Sequence, residues 1–296
     1  VSLARAFRRC VPASVKARFS ARAKARARAL LGIEPWPDLA VRHPLFRTPA
    51  YRELRRGAAA FDVEKAHKPV LERGHQTSYL VARWFADAGV RTAFHVGYAN
   101  GRYLFYLSRA GIACGGTDLP AEDTAWVDVP EGVLDPAIRR RMLRADFFDL
   151  DGPALRSLWP ERRAPAVDVL FSEATFETML PWRHGRASVP MYLQMPPAAL
   201  DALLRDRLPA TLASIAGEAR NMIFIEPEPD AGGTGAVFGA CRASLPGLDA
   251  SAWKFRPPFD HLFRLSPGDP THQVIYAFTR DRGLLEALKP YAERME

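Results

Sequence analysis

Between residues 91 and 120 the pattern of apolar and polar positions changes period three times. Thr92 to Val96 is a short β-prone run, broken by Gly97-Tyr98-Ala99-Asn100-Gly101. Arg102 to Ala110 then carries Leu104, Phe105 and Leu107 at helical spacing and stops at Gly111, a residue suited to a helix C-terminus. Ile112 to Thr117 is a second strand-like run ended by Asp118. The pattern predicts strand, glycine turn, helix, strand. Two further buried-type strands are predicted at Val167 to Phe171 and Asn221 to Glu226, the latter closed by Pro227. Glu64 to Ala88 has helical periodicity, with Val70, Leu71, Tyr79, Leu80, Ala82, Trp84 and Phe85 apolar, and predicts the helix before the first strand.

The turn carries the chemistry. Its glycines admit positive φ and a close approach of backbone to ligand, and the helix that follows points its first amides at the same place. Asp118, about 20 residues beyond the turn, is placed to accept hydrogen bonds from ribose hydroxyls. An adenosine ligand fits. A dinucleotide fits less well, because Arg102 stands where G-x-G-x-x-G needs its third glycine and no second phosphate-binding turn follows.

The spacing resembles the class I S-adenosylmethionine (SAM) dependent methyltransferases, with Gly97, Ala99 and Gly101 at the small-residue positions of a G-x-G-x-G turn and Asp118 at the ribose-binding acid. The resemblance covers roughly Gly74 to Arg280 and implies an α/β fold: three layers around a Rossmann-like, seven-stranded, mostly parallel sheet with an antiparallel last strand, plus an N-terminal helical extension. His261 to Leu265 and Gln273 to Thr279 would form its closing antiparallel pair. The resemblance further implies SAM as cofactor, S-adenosylhomocysteine as product, and Gly97, Ala99, Asn100, Gly101, Asp118, Leu119, Asp146, Phe147 and Ser172 as cofactor-binding residues. Asp146 would pair with the adenine amino group and Phe147 pack on the ring. One position departs: the family usually has Asp or Glu two residues before the first glycine, and this chain has His95.

Composition fits one large domain. The 296 residues predict a basic helical extension or lid over 1–60 and a SAM-binding domain over 61–296. Cys10, Cys114 and Cys241 are too scattered for a disulfide framework or a thiolate zinc site, and predict a reducing, cytoplasmic setting. No apolar run approaches the roughly 20 residues that cross a bilayer, so no membrane partner is expected. The net charge of +8 is local: nine of the 41 Lys and Arg lie in the first 33 residues, which hold no acid. Leu3, Phe7, Val15 and Phe19 recur at multiples of four, with Pro12 between them, which reads as a packed helical layer or a lid. A transit segment is disfavoured by the Ala-, Arg- and Pro-rich usage, which resembles that of a high-GC bacterium. A nucleic-acid arm would want more interleaved aromatics than Phe7 and Phe19.

For the acceptor, Ser172, Glu173 and Thr175 follow the strand that the resemblance aligns with the transferred group. Glu173 is the candidate base or orienting group, beside the alternative of a structural acceptor. Tyr98 either faces the sulfonium, where an aromatic ring favours positive charge, or packs under the helix. The segment Met179 to Pro197 offers Trp182, Met191, Tyr192 and Met195 as an apolar wall, with Arg183, His184 and Arg186 for an anionic group. Thr77 and Ser78 either touch the cofactor carboxylate or cap a helix. No spacing of His75, His184, His261 and His272 suggests a metal. With the resemblance, these residues imply a methyltransferase acting on a small metabolite, as monomer or homodimer, and the compositional style suggests bacterial secondary metabolism. Two alternatives stand beside it: intramolecular alkyl transfer within SAM, releasing methylthioadenosine, and RNA methylation using the basic arm.

Overall fold

The computed structural model describes residues 40–62, 72–119, 129–173, 175, 196–227, 234–263 and 273–295. Every described residue belongs to one compact unit, Leu39–Glu296. The basic arm, the 179–195 segment and residues 228–233 lie outside the described residues.

In chain order the elements are α1 (Pro49–Gly57), α2 (Glu72–Asp87), β1 (Thr92–Val96), α3 (Arg102–Arg109), β2 (Ala113–Asp118), α4 (Pro136–Arg139), β3 (Met142–Arg144), α5 (Gly152–Ser157), β4 (Val167–Glu173), α6 (Pro197–Ala202), α7 (Leu208–Ile215), β5 (Ala219–Pro227), α8 (Thr234–Ser244), β6 (Asp249–Phe255), β7 (Gln273–Thr279), α9 (Arg282–Glu286) and β8 (Ala292–Arg294). Local chemistry sets several starts. Thr48 accepts the Tyr51 amide ahead of α1, Asp135 that of Ala137 ahead of α4, and Asp151 that of Ala154 ahead of α5, each with a proline in the first turn.

The sheet runs β3-β2-β1-β4-β5-β7-β6-β8. The first five are parallel, and β7 lies antiparallel between β5 and β6. Strand order reverses between β1 and β4, and in such sheets ligands bind in the crevice outside the carboxyl ends of the strands at that point. The glycine turn leaves β1 there.

Both faces of the parallel strands are covered, so their side chains alternate between two cores. Ala93, Val169, Phe171, Ile223 and Ile225 face a layer that includes Leu80, Trp84, Phe85, Leu104 and Tyr106 of α2 and α3. Phe94, Val96, Leu170, Met222 and Phe224 face Leu155, Leu208, Leu212 and Phe238 of α5, α7 and α8. The Trp84 indole donates to the Leu284 carbonyl at 2.8 Å, tying α2 to the turn of α9. Gln76 binds both backbone groups of Val41, at 2.8 and 3.1 Å, and so holds residues 40–62 on α2.

Two strand expectations change. Phe259–Phe263 is a 3-10 turn, not a strand, and the antiparallel partner of β7 is β6. Pro257 and Pro258 offer no amide to a ladder, and the turn instead stacks Phe263 on Phe255, with centroids 4.0 Å apart. An eighth strand, β8, joins the expected seven by pairing with β6.

Candidate functional site

The turn between β1 and α3 takes left-handed backbone three times, at Gly97 (φ 76°), Ala99 (φ 48°) and Gly101 (φ 78°). It is held from β2. The Gly97 amide donates to the Thr117 carbonyl at 2.8 Å, and the Asp118 carboxylate accepts from the Ala99 amide at 2.6 Å and the Leu119 amide at 2.8 Å. Each carboxylate oxygen keeps a further lone pair, which leaves Asp118 able to accept from a vicinal diol. Burial pushes its carboxyl upward in pKa, against the pull of those two amides and of Arg144. Asn100 accepts the Arg102 amide at 3.1 Å and so opens α3. Thr175 lies over the turn: its hydroxyl donates to the Val96 carbonyl at 3.0 Å, and a Cβ on Gly97 would come within 2.4 Å of that oxygen.

A second loop is pinned beside Asp118. The Thr117 hydroxyl donates to the Ala145 carbonyl at 2.7 Å, and the Ala145 amide to the Asp118 carbonyl at 3.0 Å. Asp146 caps the following turn by accepting the Phe148 amide, and Phe147 and Leu119 are buried in the same core. The fold thus gathers Gly97, Ala99, Gly101, Asp118, Leu119, Asp146 and Phe147 around the ends of β1 and β2. Ser172 is drawn elsewhere: fully buried, it donates to Glu226 at 3.1 Å, and the Thr175 amide donates to the same carboxylate oxygen. Glu226, at the end of β5, is a buried carboxylate at the same edge of the sheet, and the strand pattern hid it, because only its position as the last residue before Pro227 distinguishes it from the apolar run.

On the α2 and α3 side the site is lined differently. His95 is 2 % exposed, stacked on Phe171 with centroids 4.3 Å apart and an interplanar angle of 3°, and edge-on to Tyr103 at 5.0 Å. Neither ring nitrogen has a hydrogen-bond partner among the described residues. Burial, reinforced by the Arg102 charge, pushes its pKa down to about 3, so the ring is neutral. The Tyr103 hydroxyl is also buried; it makes no well-formed hydrogen bond, although Glu173 and Thr77 lie within its electrostatic reach. Burial and the Glu173 charge hold that phenol well above the ordinary tyrosine range. Arg102 donates from Nε to Ser78 Oγ at 2.9 Å, and its guanidinium sits 5.6 Å from the Tyr103 ring.

The polar run at 74–78 is mostly occupied within the fold. Thr77 and Ser78 do not cap α2, which begins at Glu72; inside the helix, their hydroxyls donate to the Gly74 carbonyl at 2.8 and 3.1 Å. His75 bridges Tyr106 and Asp62, and burial, with the charges of Arg102 and Arg55, lowers its pKa to about 4. Tyr98 takes the packing alternative: it is 2 % exposed, near the spot that a Cβ on Gly116 would take, with the Arg144 guanidinium 5.4 Å from its ring. His184 lies outside the described residues. Among the described residues no cluster of three His, Cys, Asp or Glu could hold a metal, and no helix is long and apolar enough to cross a membrane.

A polar cavity of about 310 Å³ lies at the opposite edge, lined by Arg91, Arg162, Asp168, Arg220, Asn221 and Asp281 among others. Its central carboxylate is fully engaged there: Asp168 accepts the Arg91 and Thr92 amides at 2.8 and 3.0 Å and pairs with Arg162 at 3.1 Å. It lies where the strands begin, away from the glycine turn.

No family model matches the chain, and no curated protein matches it in sequence. Among solved structures it is similar to a putative O-methyltransferase from Klebsiella pneumoniae at 15 % identity, over 81 % of this chain and 92 % of that one, with a TM-score of 0.39. It is also similar to an O-methyltransferase from Bacillus cereus in complex with S-adenosylhomocysteine, at 14 % identity over 79 % and 91 %, with a TM-score of 0.40. A TehB-like SAM-dependent methyltransferase from Corynebacterium glutamicum matches at 15 % identity over 77 % and 94 %, with a TM-score of 0.39. Likenesses this distant carry no weight beside the geometry of the turn, the two aspartates and the strand order.

Proposed function

We propose that this chain is a SAM-dependent methyltransferase acting on a small-molecule acceptor. The observation that carries the reading is the thrice left-handed turn tied to a carboxylate at the end of the neighbouring strand, at the point where strand order reverses. In this reading the turn backbone and Asn100 line the cofactor, Asp118 accepts from its ribose, and Asp146 and Phe147 hold its adenine. When bound, SAM supplies an electrophilic methyl group on a positively charged sulfur. The protein's contribution is alignment of the acceptor in line with that bond and exclusion of water. Glu173, at the carboxyl end of β4, belongs to this edge, whereas Tyr98 supports the sheet from the core. His184 and the segment around it are proposed to meet the acceptor. The basic residues at 1–60 are proposed as an extension or lid, and the setting as the bacterial cytoplasm, in secondary metabolism.

Titration calorimetry with SAM and with S-adenosylhomocysteine tests the cofactor, and mass spectrometry of the protein incubated with SAM alone tests the reaction. Binding without turnover supports transfer to a separate acceptor. Methylthioadenosine formed from SAM alone overturns that in favour of intramolecular alkyl transfer, and absence of binding refutes the whole reading.

A further inference from the structure

The run Met222 to Ile225 is apolar, and the chain then buries a carboxyl group, Glu226, with no exposed surface. Such a group has to be matched by donors. Two of them come from the end of β4 and just beyond it: the Ser172 hydroxyl and the Thr175 amide both donate to Glu226 Oε1, each at 3.1 Å. Side chains two residues apart on a strand share a face. Ser172 therefore lies on the face of Leu170, and Glu226 on that of Phe224, toward α5, α7 and α8. Glu173 stands on the other face, with Phe171 and the His95 ring stacked on it. Thr175, two residues past the end of β4, passes the constraint on to β1. Its hydroxyl donates to the Val96 carbonyl at 3.0 Å and approaches the Glu173 carbonyl more weakly, at 3.4 Å. Its side chain also fills the space that a Cβ on Gly97 would need, which would fall 2.9 Å from Thr175 Cγ2. Glycine at 97 and threonine at 175 are complementary.

We propose that Glu226 is a positioning residue for the glycine turn: by fixing Thr175 against Val96 and Gly97, it clamps the turn from the β4 and β5 side, opposite the clamp that Asp118 applies from β2. The role in binding rests on the cofactor reading above. Left-handed backbone at three residues, one of them the non-glycine Ala99, persists where the surrounding structure over-determines it. Asp118 does this on one flank through the Ala99 amide, and it is also the group placed to meet a ribose. Glu226 works from the other flank and touches no ligand, so the turn keeps its shape whether or not Asp118 is engaged. One carboxyl oxygen accepting from two donors ties the end of β4 to the end of β5 with a single side chain. Thr175 carries that tie one strand further, to β1.

The test reads the turn directly. Amide hydrogen exchange, followed by NMR at Gly97, Ala99 and Gly101, is compared with exchange at Thr92, whose amide Asp168 holds at the far end of the sheet. Glu226→Leu and Thr175→Val are each expected to speed exchange in the turn about 10-fold and to weaken S-adenosylhomocysteine about 10-fold by calorimetry, as loss of a buried hydrogen-bond partner does, while Thr92 changes by less than about twofold. Glu226→Gln keeps an acceptor oxygen and is expected to hold both readouts within about threefold of the parent. The double variant should be no worse than Glu226→Leu alone, because the two residues act in one chain of contacts. Should Glu226→Leu not fold, Glu226→Asp, which withdraws the acceptor by one methylene, takes its place with the same expectation. The proposal is overturned if exchange in the turn is unchanged, if the turn and Thr92 speed up together, if the two substitutions add in full, or if affinity holds while the turn loosens. Failure of the unaltered protein to bind S-adenosylhomocysteine would sink the cofactor reading instead, and exchange would still decide whether Glu226 holds the turn.

Discussion

Each end of the parallel sheet is organised by an aspartate, and the two are held in opposite ways. Asp168, near the start of β4, is buried, which alone would raise its pKa, but the Arg162 guanidinium and the Arg91 and Thr92 amides outweigh that and hold the carboxyl below the usual range. Its neighbours close the network: Asp168 donates its own amide to the Thr92 hydroxyl, and Asn221 donates to the Asp168 carbonyl at 2.9 Å. Asp118, at the end of β2, has two amides and a distant Arg144, and its carboxyl stays above the usual range. One end is a finished hydrogen-bond network that joins three strands. The other keeps acceptors, buried orphan groups and left-handed backbone, features that cost stability unless something binds. Where polar groups are saturated they serve the fold; those left over lie at the end where the cofactor is proposed to bind.

The contrast breaks most sharply at Gly97. Gly97→Val places a side chain against Thr175 at a positive φ, and is expected to cost about 2–3 kcal/mol of stability and abolish measurable S-adenosylhomocysteine binding. Calorimetry alongside urea unfolding checks both. Asp168→Ala should do the reverse, losing about 3 kcal/mol in urea unfolding by orphaning two amides and Arg162, with affinity unchanged. Asp118→Ala should lower S-adenosylhomocysteine affinity about 10-fold for about 1 kcal/mol of stability. A stability loss at Asp118 as large as at Asp168 would erase the distinction.

Acid sharpens it further. Asp168 contributes stability that is present above the unfolded carboxylate value near 4 and lost as pH falls through its lower folded value, so the gap in melting temperature between the parent and Asp168→Asn should narrow below about pH 4. The two buried histidines act at higher pH. Their folded values, about 4 for His75 and about 3 for His95, lie under the unfolded value near 6.5, so the unfolded chain takes up protons first and stability falls as pH drops from about 6.5. His75→Phe should flatten that limb, a small effect to be read in melts at pH 7 and pH 5.

Much of this frame was legible in the chain. The run 92–118 showed its strand, turn, helix and strand to within a residue because each element changes period cleanly, and parallel strands buried on both faces betray themselves as apolar blocks. What escaped lacked such a signal. Strand β6, DASAWKF, is half-exposed and mixes Ala, Ser and Lys, so it does not read as a strand, whereas the apolar FDHLF run was drawn into a turn by the two prolines before it. Arg102 was visible only as a missing glycine; the placement of its side chain depends on Ser78 and Gly74, 24 and 28 residues earlier, which no local pattern connects. The place of Glu173 at a strand end was legible, and its relation to His95 needed the β1–β4 register.

The sheet is bounded by β3 at one edge and β8 at the other, each only three residues long. A short rim offers few unpaired amides and carbonyls to a neighbour. Among the described residues, a seam between two copies joined along either edge would therefore be three residues long, too brief by itself to hold them.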